Sequence, residues 1–599
     1  MNMVEDCLSN LPAALQTFSV CPPPGVFAAL PDFVKERRAQ CARTALETPI
    51  PMLTASDWLI FFRTGDRASY EERYFARRRR LTDLVCGALG GDAELYLDAI
   101  VDTIWAICEE SAWQMPAHNQ YIRDTPQLTW PDPERPVIDL FAAETGALLS
   151  CTCAALQQRL PVDVVTRVRH EVQKRVLTPY QTEHFWWMGC GSDPMNNGTP
   201  WCTQNVLLCV FALPCREAVR RAVIRKAAYS LDCFLKDYGT DGCCNEGAQY
   251  YGHAGLCLYG CLELLCKAAP GTFDALWQEE KIRNIAANIH YLHIDGPYYV
   301  NFADCSPIAG RRGAREYCFA CRTQNPAMAR FAAQDWRESF TGPAAQNDIA
   351  RINLWYQFLE TYAAAEMACC EAPHPQDTPG DIFYPSVGVL IARRGDWVLA
   401  AKAGGNADSH NHNDTGSVTL YRKGEPFLID LGVETYTQKT FSPRRYEIWT
   451  MQSQWHNLPT FDGVLQQDGA EFCARDVHTR FLPDTAQISM ELSAAWPKQA
   501  HLDSLTRTVS LTPGGLTLTD TARGSYQTAF LSLMLREKPQ VDGSRVTVGA
   551  LGTIQLEGVS GRIETDVLPI QDARLRIAWP DTLYRLRIPF SDSLTVRIF

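Results

Sequence analysis

The sequence predicts a multidomain α+β protein in which a helical N-terminal region is followed by an antiparallel β-sandwich. The chain has 599 residues, which is too many for a single hydrophobic core. Apolar residues recur at helical spacing through roughly the first 370 residues. A Pro-rich stretch at 371–380 then precedes segments in which apolar and polar residues alternate. We therefore predict two domains, 1–375 and 376–599.

Helical spacing is clearest in two segments of the N-terminal region. Leu97, Ile100 and Ile104 lie three or four positions apart in the first segment, and the second runs from Val219 to Leu235. Loops with Pro, Gly or Asp separate further predicted helices, which cover 161–177, 203–213, 254–268, 274–293 and 345–368. Successive helices without strands between them predict antiparallel helix pairs, arranged as a bundle or a toroid.

The C-terminal region has a period of two. The alternation begins at Val387, Val389 and Ile391 and recurs in short segments up to the end of the chain. The sequence Pro513-Gly-Gly predicts a hairpin turn between two of these segments. Short alternating strands separated by turns are typical of an antiparallel sandwich.

The composition excludes several classes of protein. Hydrophobic content is 46% and charged content 21%, and no apolar run approaches the ~20 residues of a bilayer span. The net charge of -12 argues against general nucleic-acid binding. The acidic N-terminus predicts no export signal. The 23 Cys, an odd number without the spacing of a disulfide framework, favour reduced thiols in a cytoplasmic protein. Whether the chain forms a homo-oligomer is left open.

The stretch from Asn406 to His456 is the most informative. Alternating apolar residues on both sides of Lys423-Gly424 predict a β-hairpin. If the run before it is also extended, the side chains at positions 408, 410, 412 and 414 project from one face. A solvated polar strand is the alternative to a functional cluster. The presence of three of the chain's 12 His within this stretch argues against a merely solvated strand.

A metal site is a second prediction for the same stretch. Asp430 lies in the apolar run F-L-I-D-L, where a carboxylate requires a partner or a metal ion. Neutral imidazoles and a carboxylate are suitable zinc ligands, and three protein ligands are common at zinc centres. The predicted zinc ligands are His412, Asp430 and His456.

Four short motifs in this region occur in the order found in heparinase II/III-like polysaccharide lyases. They are H-N-H-N-D-x-G from His410, L-I-D-L-G from Leu428, E-T-Y-T from Glu434, and S-P-R-R-Y-E-I-W-T with the later W-H-N-L-P. The sequence therefore resembles the C-terminal half of that family. The resemblance implies that the helices form an (α/α) toroid whose loops line a groove, and that the protein cleaves uronate-containing glycans by elimination.

Two loops of the helical region match the family as well. N-N-x-x-P-W from Asn196 matches a segment whose Asn binds the uronate carboxylate, which implies that role for Asn197. On the residues alone, an Asn cap of the next helix is an equal alternative. D-G-x-x-x-E-x-x-x-Y from Asp241 implies that Tyr250 is the catalytic acid/base. If a helix begins near Glu246, that residue lies one turn from Tyr250, a spacing that more often reflects packing.

Further positions are expected along the groove by the same resemblance. The predicted substrate-binding residues are Asn196, Trp113, His118, Glu246, Tyr436, Arg444 and Arg445. Arg pairs on a surface are as often merely solvated as functional.

The elimination requires a base for the C5 proton, a donor for the charge that develops on the carboxylate, and an acid for O4. An amide such as that of Asn197 would contribute roughly 3 kcal/mol if it acts like one oxyanion-hole donor. The predicted base is His410 or Tyr250, depending on the C5 epimer, and Tyr250 is the predicted acid. The zinc is then structural. The alternatives are a zinc hydrolase or esterase and an inactive protein that binds acidic glycans.

Overall fold

Helices form the N-terminal region of the computed structural model, which describes residues 2–122, 125–189, 192–341 and 351–599. The α-helices are Pro24–Ala28, Asp32–Glu47, Ala55–Thr64, Ala68–Gly90, Ala93–Cys108, Leu140–Leu156, Val162–Val172, Thr178–Thr182, Gly198–Ala212, Glu217–Asp237, Gly255–Ala268, Glu280–Leu292, Ala314–Arg322, Pro326–Glu338 and Leu354–Cys369.

The helices are arranged by their hydrophobic patterns. Gly198–Ala212 and Gly255–Ala268 are buried at nearly every position and lie at the centre. Amphipathic helices such as Val162–Val172 and Glu280–Leu292 bury only one face. Asp32–Glu47 packs against Ala68–Gly90. The helical region is thus confirmed, whereas the toroidal arrangement stays a prediction.

Two predicted helix boundaries differ from the structure. The helix predicted for 345–368 is observed at Leu354–Cys369, and residues 345–350 lie outside the described residues. The helix expected near Glu246 begins only at Gly255, after a 3-10 turn at Tyr250–Gly252. The reason lies at Gly247, where φ is +87° and a Cβ would lie 2.9 Å from the Cβ of Cys305. This turn brings the Glu246 loop against the loop that precedes Cys305.

Strands form most of the region from 382 onwards. They are Ile382–Tyr384, Val389–Arg394, Trp397–Lys402, Gly405–Asn406, Val418–Arg422, Glu425–Leu428, Pro459–Phe461, Gly469–Cys473, Arg475–Leu482, Thr485–Glu491, Leu502–Thr512, Gly515–Gly524, Ala529–Leu535, Pro539–Asp542, Arg545–Val548, Gly552–Val559, Glu564–Pro569 and Thr582–Ile598. A short strand pair, His293–Asp295 with Tyr298–Tyr299, lies in the helical region.

The large sheet is antiparallel. Its long last strand, Thr582–Ile598, pairs with Ala529–Leu535 through its first half and with Gly515–Gly524 through its second. Val389–Arg394 packs against Leu502–Thr512, from a different part of the sheet, around a core of alternating buried residues. The antiparallel β region is confirmed, while its division into two sandwiched layers and the boundary at 375/376 stay predictions.

The hairpin around Lys423-Gly424 is confirmed, with positive φ at both turn residues. The run before it is not extended, so the condition under which the side chains at positions 408–414 would project from one face is not met. His410 has a φ of +57°, a left-handed conformation that is uncommon for a residue other than Gly. At this turn the side chains of His410 and His412 contact Asp304 of the helical region.

Hydrogen bonds join the helical and β regions on both sides of these loops. The backbone of Gln438 donates to the carbonyl of Gly65 at 3.0 Å. Elsewhere, the side chain of Asn301 donates to the carbonyl of Asp430 at 3.0 Å. In the part of the chain that the structure describes, no helix has both the length and the apolar character needed to cross a bilayer.

Candidate active site

The three predicted catalytic residues meet between the helical and β regions. The ring centroids of Tyr250 and His410 are 4.4 Å apart. Glu246 joins Asn197 to the same site, since its carboxylate contacts both Asn197 and His410. Residues separated by more than 200 positions in the sequence therefore form one cluster.

Glu246 fixes the position of Asn197. Its buried carboxylate accepts hydrogen bonds from the Asn197 backbone N at 3.0 Å and from Nδ2 at 2.6 Å. The second oxygen also lies 3.2 Å from Nε2 of His410. One Nδ2 hydrogen of Asn197 is thus engaged by Glu246. Glu246 was predicted to bind substrate, but in the structure its carboxylate contacts Asn197 and His410.

Asp304 is a central residue that the sequence did not reveal. Its fully buried carboxylate accepts from His410 Nδ1 at 2.9 Å, His412 Nε2 at 3.0 Å, Arg445 at 2.6 Å and the Tyr436 hydroxyl at 3.2 Å. Burial would raise its pKa, but the hydrogen bonds from both His side chains and the charge of Arg445 hold it well below the usual range. A single Asp between Ala303 and Cys305 offers no spacing signal from which this could be inferred.

His410 lies between two carboxylates. Burial alone would lower its pKa, but the hydrogen bonds to Asp304 and Glu246 raise it to about 9. The imidazole is therefore charged at neutral pH and donates through both nitrogens. In this state His410 can stabilise negative charge on a ligand but cannot remove a proton.

Two phenols share a short hydrogen bond in the site. The hydroxyls of Tyr250 and Tyr436 are 2.6 Å apart. Burial raises the pKa of Tyr250 well above its ordinary value, as do Tyr436 and Asp304, whereas Arg574 lowers it. The Arg574 guanidinium lies 4.4 Å from the centre of the Tyr436 ring. The site therefore contains a protonated tyrosine pair beside a cation.

The two arginines predicted to bind substrate, Arg444 and Arg445, differ in their surroundings. Arg445 is held by Asp304, whereas Arg444 is exposed and pairs with Glu447. Asn196 accepts locally from the backbone N of Gly198, whereas the side chain of Asn197, which directly precedes the helix, forms no cap hydrogen bond.

His118 and Trp113, both predicted to bind substrate, lie in different surroundings. His118 donates to Asp139 at 2.8 Å and contacts Arg67, whose guanidinium lies over the ring of Phe441 next to the site. Trp113 is 1% exposed and its ring N–H donates to the carbonyl of Ile107, so it belongs to the helical core and not to the site.

A group of buried potential metal ligands lies next to the catalytic cluster. Candidate ligand atoms of Asp414, Asp430 and His456 lie within 4.8 Å of one another. His456 Nδ1 donates to Asp430 at 2.9 Å, and its Nε2, which offers a lone pair when the ring is neutral, has no hydrogen-bond partner among the described residues. Lys402 donates to one oxygen of Asp414 at 2.6 Å, and the other oxygen has no partner within the same residues.

His412, the third predicted zinc ligand, borders this group. Its ring centroid is 5.6 Å from that of His456. Its Nε2 donates to Asp304, and burial lowers the pKa of the ring, so the buried Nδ1 carries a lone pair; in the part of the chain that the structure describes, this atom also has no hydrogen-bond partner. Unpartnered nitrogen lone pairs and a carboxylate oxygen are the donor set that zinc prefers, so the residues present fit the ion.

The comparison with known families concerns the C-terminal part of the chain. Residues 376–573 match the family model "Heparinase II/III-like, C-terminal". The resemblance deduced from the four motifs is thereby confirmed for this part of the chain. A comparison with the sequences of curated proteins found no match.

Solved structures match over most of the chain. Heparinase III is 14% identical, with 89% of this chain and 77% of that chain covered and a TM-score of 0.59. The heparan sulfate lyase HepC from Pedobacter heparinus is 13% identical, with coverage of 100% and 87% and a TM-score of 0.54. At these identities the similarity establishes a heparinase-like fold for both regions together.

Proposed function

We propose that the protein is a polysaccharide lyase that cleaves acidic glycans beside a 4-linked uronate by β-elimination. The observation that carries the proposal is the meeting of Tyr250 and His410 in one buried site with Asn197. Neither the helical region nor the β region supplies this set alone. The similar structures named as heparinase III and heparan sulfate lyase support the same class of substrate.

The three side chains match the three requirements of the reaction. Asn197 would donate to the uronate carboxylate, whose negative charge grows as the C5 proton leaves, while His410, whose two nitrogens donate to Asp304 and Glu246, would stabilise that charge by its own positive charge. Tyr250, in its ionised form, would take that proton. The electrons of the C5–H bond then form the C4–C5 double bond as the C4–O4 bond breaks, and Tyr250 returns the proton to O4. No co-reactant is needed, because the elimination yields an unsaturated uronate and an alcohol.

We choose between the two candidate bases, His410 and Tyr250, by comparing the groups that hold their protons. His410 is charged below about pH 9 because Asp304 and Glu246 hold its proton. Tyr250 also has a proton at neutral pH. Its hydroxyl is linked to the carboxylate of Asp304 only through the Tyr436 hydroxyl, and Arg574 favours its ionisation. We therefore assign both the base and the acid role to Tyr250.

We also propose a structural zinc ion held by His412, Asp430 and His456, with Asp414 as a fourth ligand. Four protein ligands are typical of structural zinc, which would link the loop before the hairpin to the loop at His456. All four residues are buried, which disfavours the alternative of a hydrolase that presents metal-bound water to a polymer.

The test is the product formed from a panel of acidic glycans. Elimination gives an unsaturated uronate that absorbs in the ultraviolet, and Tyr250→Phe should abolish this absorbance. Tyr251→Phe is the matched control, because its buried hydroxyl donates to the Ala286 carbonyl, away from the site. New reducing ends without ultraviolet absorbance would establish a hydrolase and overturn the proposal. Binding without cleavage by the wild type would establish a glycan-binding protein.

A further inference from the structure

Arg574 reaches the site from a turn near the end of the chain. Asp572 fixes this turn, since its side chain accepts from the backbone N of Arg574 at 3.0 Å and of Leu575 at 3.1 Å. The same carboxylate accepts from the backbone N of Thr435 at 3.1 Å. Because Thr435 directly precedes Tyr436, one carboxylate holds Arg574 and Tyr436 in a fixed relation.

The guanidinium of Arg574 contacts neutral groups. It lies 4.4 Å from the Tyr436 ring centre and donates to Gln249 Oε1 and to the backbone carbonyl of Asp304, both at 3.2 Å. Within the described ranges, no carboxylate oxygen forms an ion pair with Arg574. Its positive charge is therefore not cancelled by a paired anion, although the residue is largely enclosed.

The other charged groups around the two phenols are paired. His410 packs against Tyr250, but Glu246 and Asp304 accept from both of its nitrogens. Arg445 is paired with Asp304, which also accepts from the Tyr436 hydroxyl. His253 lies at the edge of the Tyr250 ring and stays neutral, because burial lowers its pKa to about 3.

We propose that Arg574 is a positioning residue that enables Tyr250 to act as a base by stabilising negative charge on the Tyr250–Tyr436 pair. This inference rests on the proposed lyase function. When Tyr250 releases its proton to solvent, the Tyr436 hydroxyl gives up its 3.2 Å hydrogen bond to Asp304 and donates instead to the resulting phenolate across the 2.6 Å contact. The charge is then shared between two oxygens beside the Arg574 guanidinium, where it is attracted in a site of low dielectric.

Opposite effects on the pKa of the two phenols support this role of Arg574. Burial raises the pKa of both Tyr250 and Tyr436, and Asp304 raises both further. Arg574 acts in the opposite direction on each of them. A phenol in such surroundings would not ionise at a useful rate without a cation, and Arg574 is placed to supply it.

The test compares pH profiles of kcat for the wild type, Arg574→Lys and Arg574→Gln. In Arg574→Gln we expect the limb that requires an ionised phenol to move to higher pH by at least about one unit, so that kcat near neutral pH falls about tenfold. KM should change less than about threefold, and Arg574→Lys should recover part of the loss. Arg576→Gln, two positions away and paired with Asp581 on the surface, is the matched control.

A second measurement does not depend on turnover. The ultraviolet difference between wild type and Tyr250→Phe during alkaline titration reports phenolate formation at this residue. Its midpoint should rise in the Arg574→Gln background. An unchanged midpoint and profile, or an equal loss of kcat at every pH, would overturn the proposal. If the wild type gives no unsaturated product at all, the lyase function fails, and the titration still decides whether Arg574 stabilises the phenolate.

Discussion

Replacement of Asp304 by Asn tests the electrostatics of the site directly. The change keeps the shape of the side chain but removes the charge that faces His410, His412 and Arg445. The pKa of His410 is about 9 although burial alone would lower it. Compared with the ordinary value of ~6.5, this corresponds to about 3 kcal/mol in favour of the charged imidazole.

Two carboxylates hold this proton, so the loss of one should remove about half of the effect. We expect the pKa of His410 in Asp304→Asn to fall to roughly 7–8. The assay is NMR titration of His side chains labelled with ¹³C at Cε1, with the His410 signal assigned from its absence in His410→Gln. The chain has 12 His, which keeps the spectrum tractable.

The same replacement changes the pH dependence of stability. A raised folded-state pKa contributes stability that is complete below the unfolded value of ~6.5 and is lost as pH rises through about 9. The Tm of the wild type should therefore decline over this range more than that of Asp304→Asn. Leaving Arg445 without its buried partner should lower the free energy of unfolding by about 3 kcal/mol. A His410 pKa near 6.5 in the wild type, or one that Asp304→Asn leaves unchanged, would refute the reasoning.

Two further predictions concern the arginine pair and the metal group. Arg445→Ala should lower kcat at least tenfold and reduce Tm, because it removes the arginine that pairs with the buried Asp304. The exposed Arg444→Ala should change neither. Equal effects of the two replacements in Tm scans and turnover assays would contradict this prediction. Elemental analysis should find about one zinc per wild-type chain and little in His456→Ala, which should also unfold at a lower temperature. A fully active wild type without metal would exclude the zinc proposal.

The sequence alone was sufficient for features that depend on local pattern. Helical spacing and the change to a period of two predicted the order of the two regions, and Lys423-Gly424 predicted a hairpin that the structure contains. The resemblance to heparinase II/III-like lyases also pointed to Tyr250, His410 and Asn197, because each lies in a short run that matches a motif of that family. The helix start predicted near Glu246 was wrong, because Gly247 has a positive φ and interrupts the helical pattern.

The tertiary structure decided which side chains hold the named residues in place. Asp304 and Arg574 are isolated in the sequence, and only the contact between the helical and β regions places them around His410 and Tyr436. For the same reason the sequence could not show that His410 is charged, since its pKa depends on carboxylates more than 100 positions away. Local pattern specifies which chemical groups are present, but the protonation of a buried group is set by long-range neighbours, and these exist only in the folded chain.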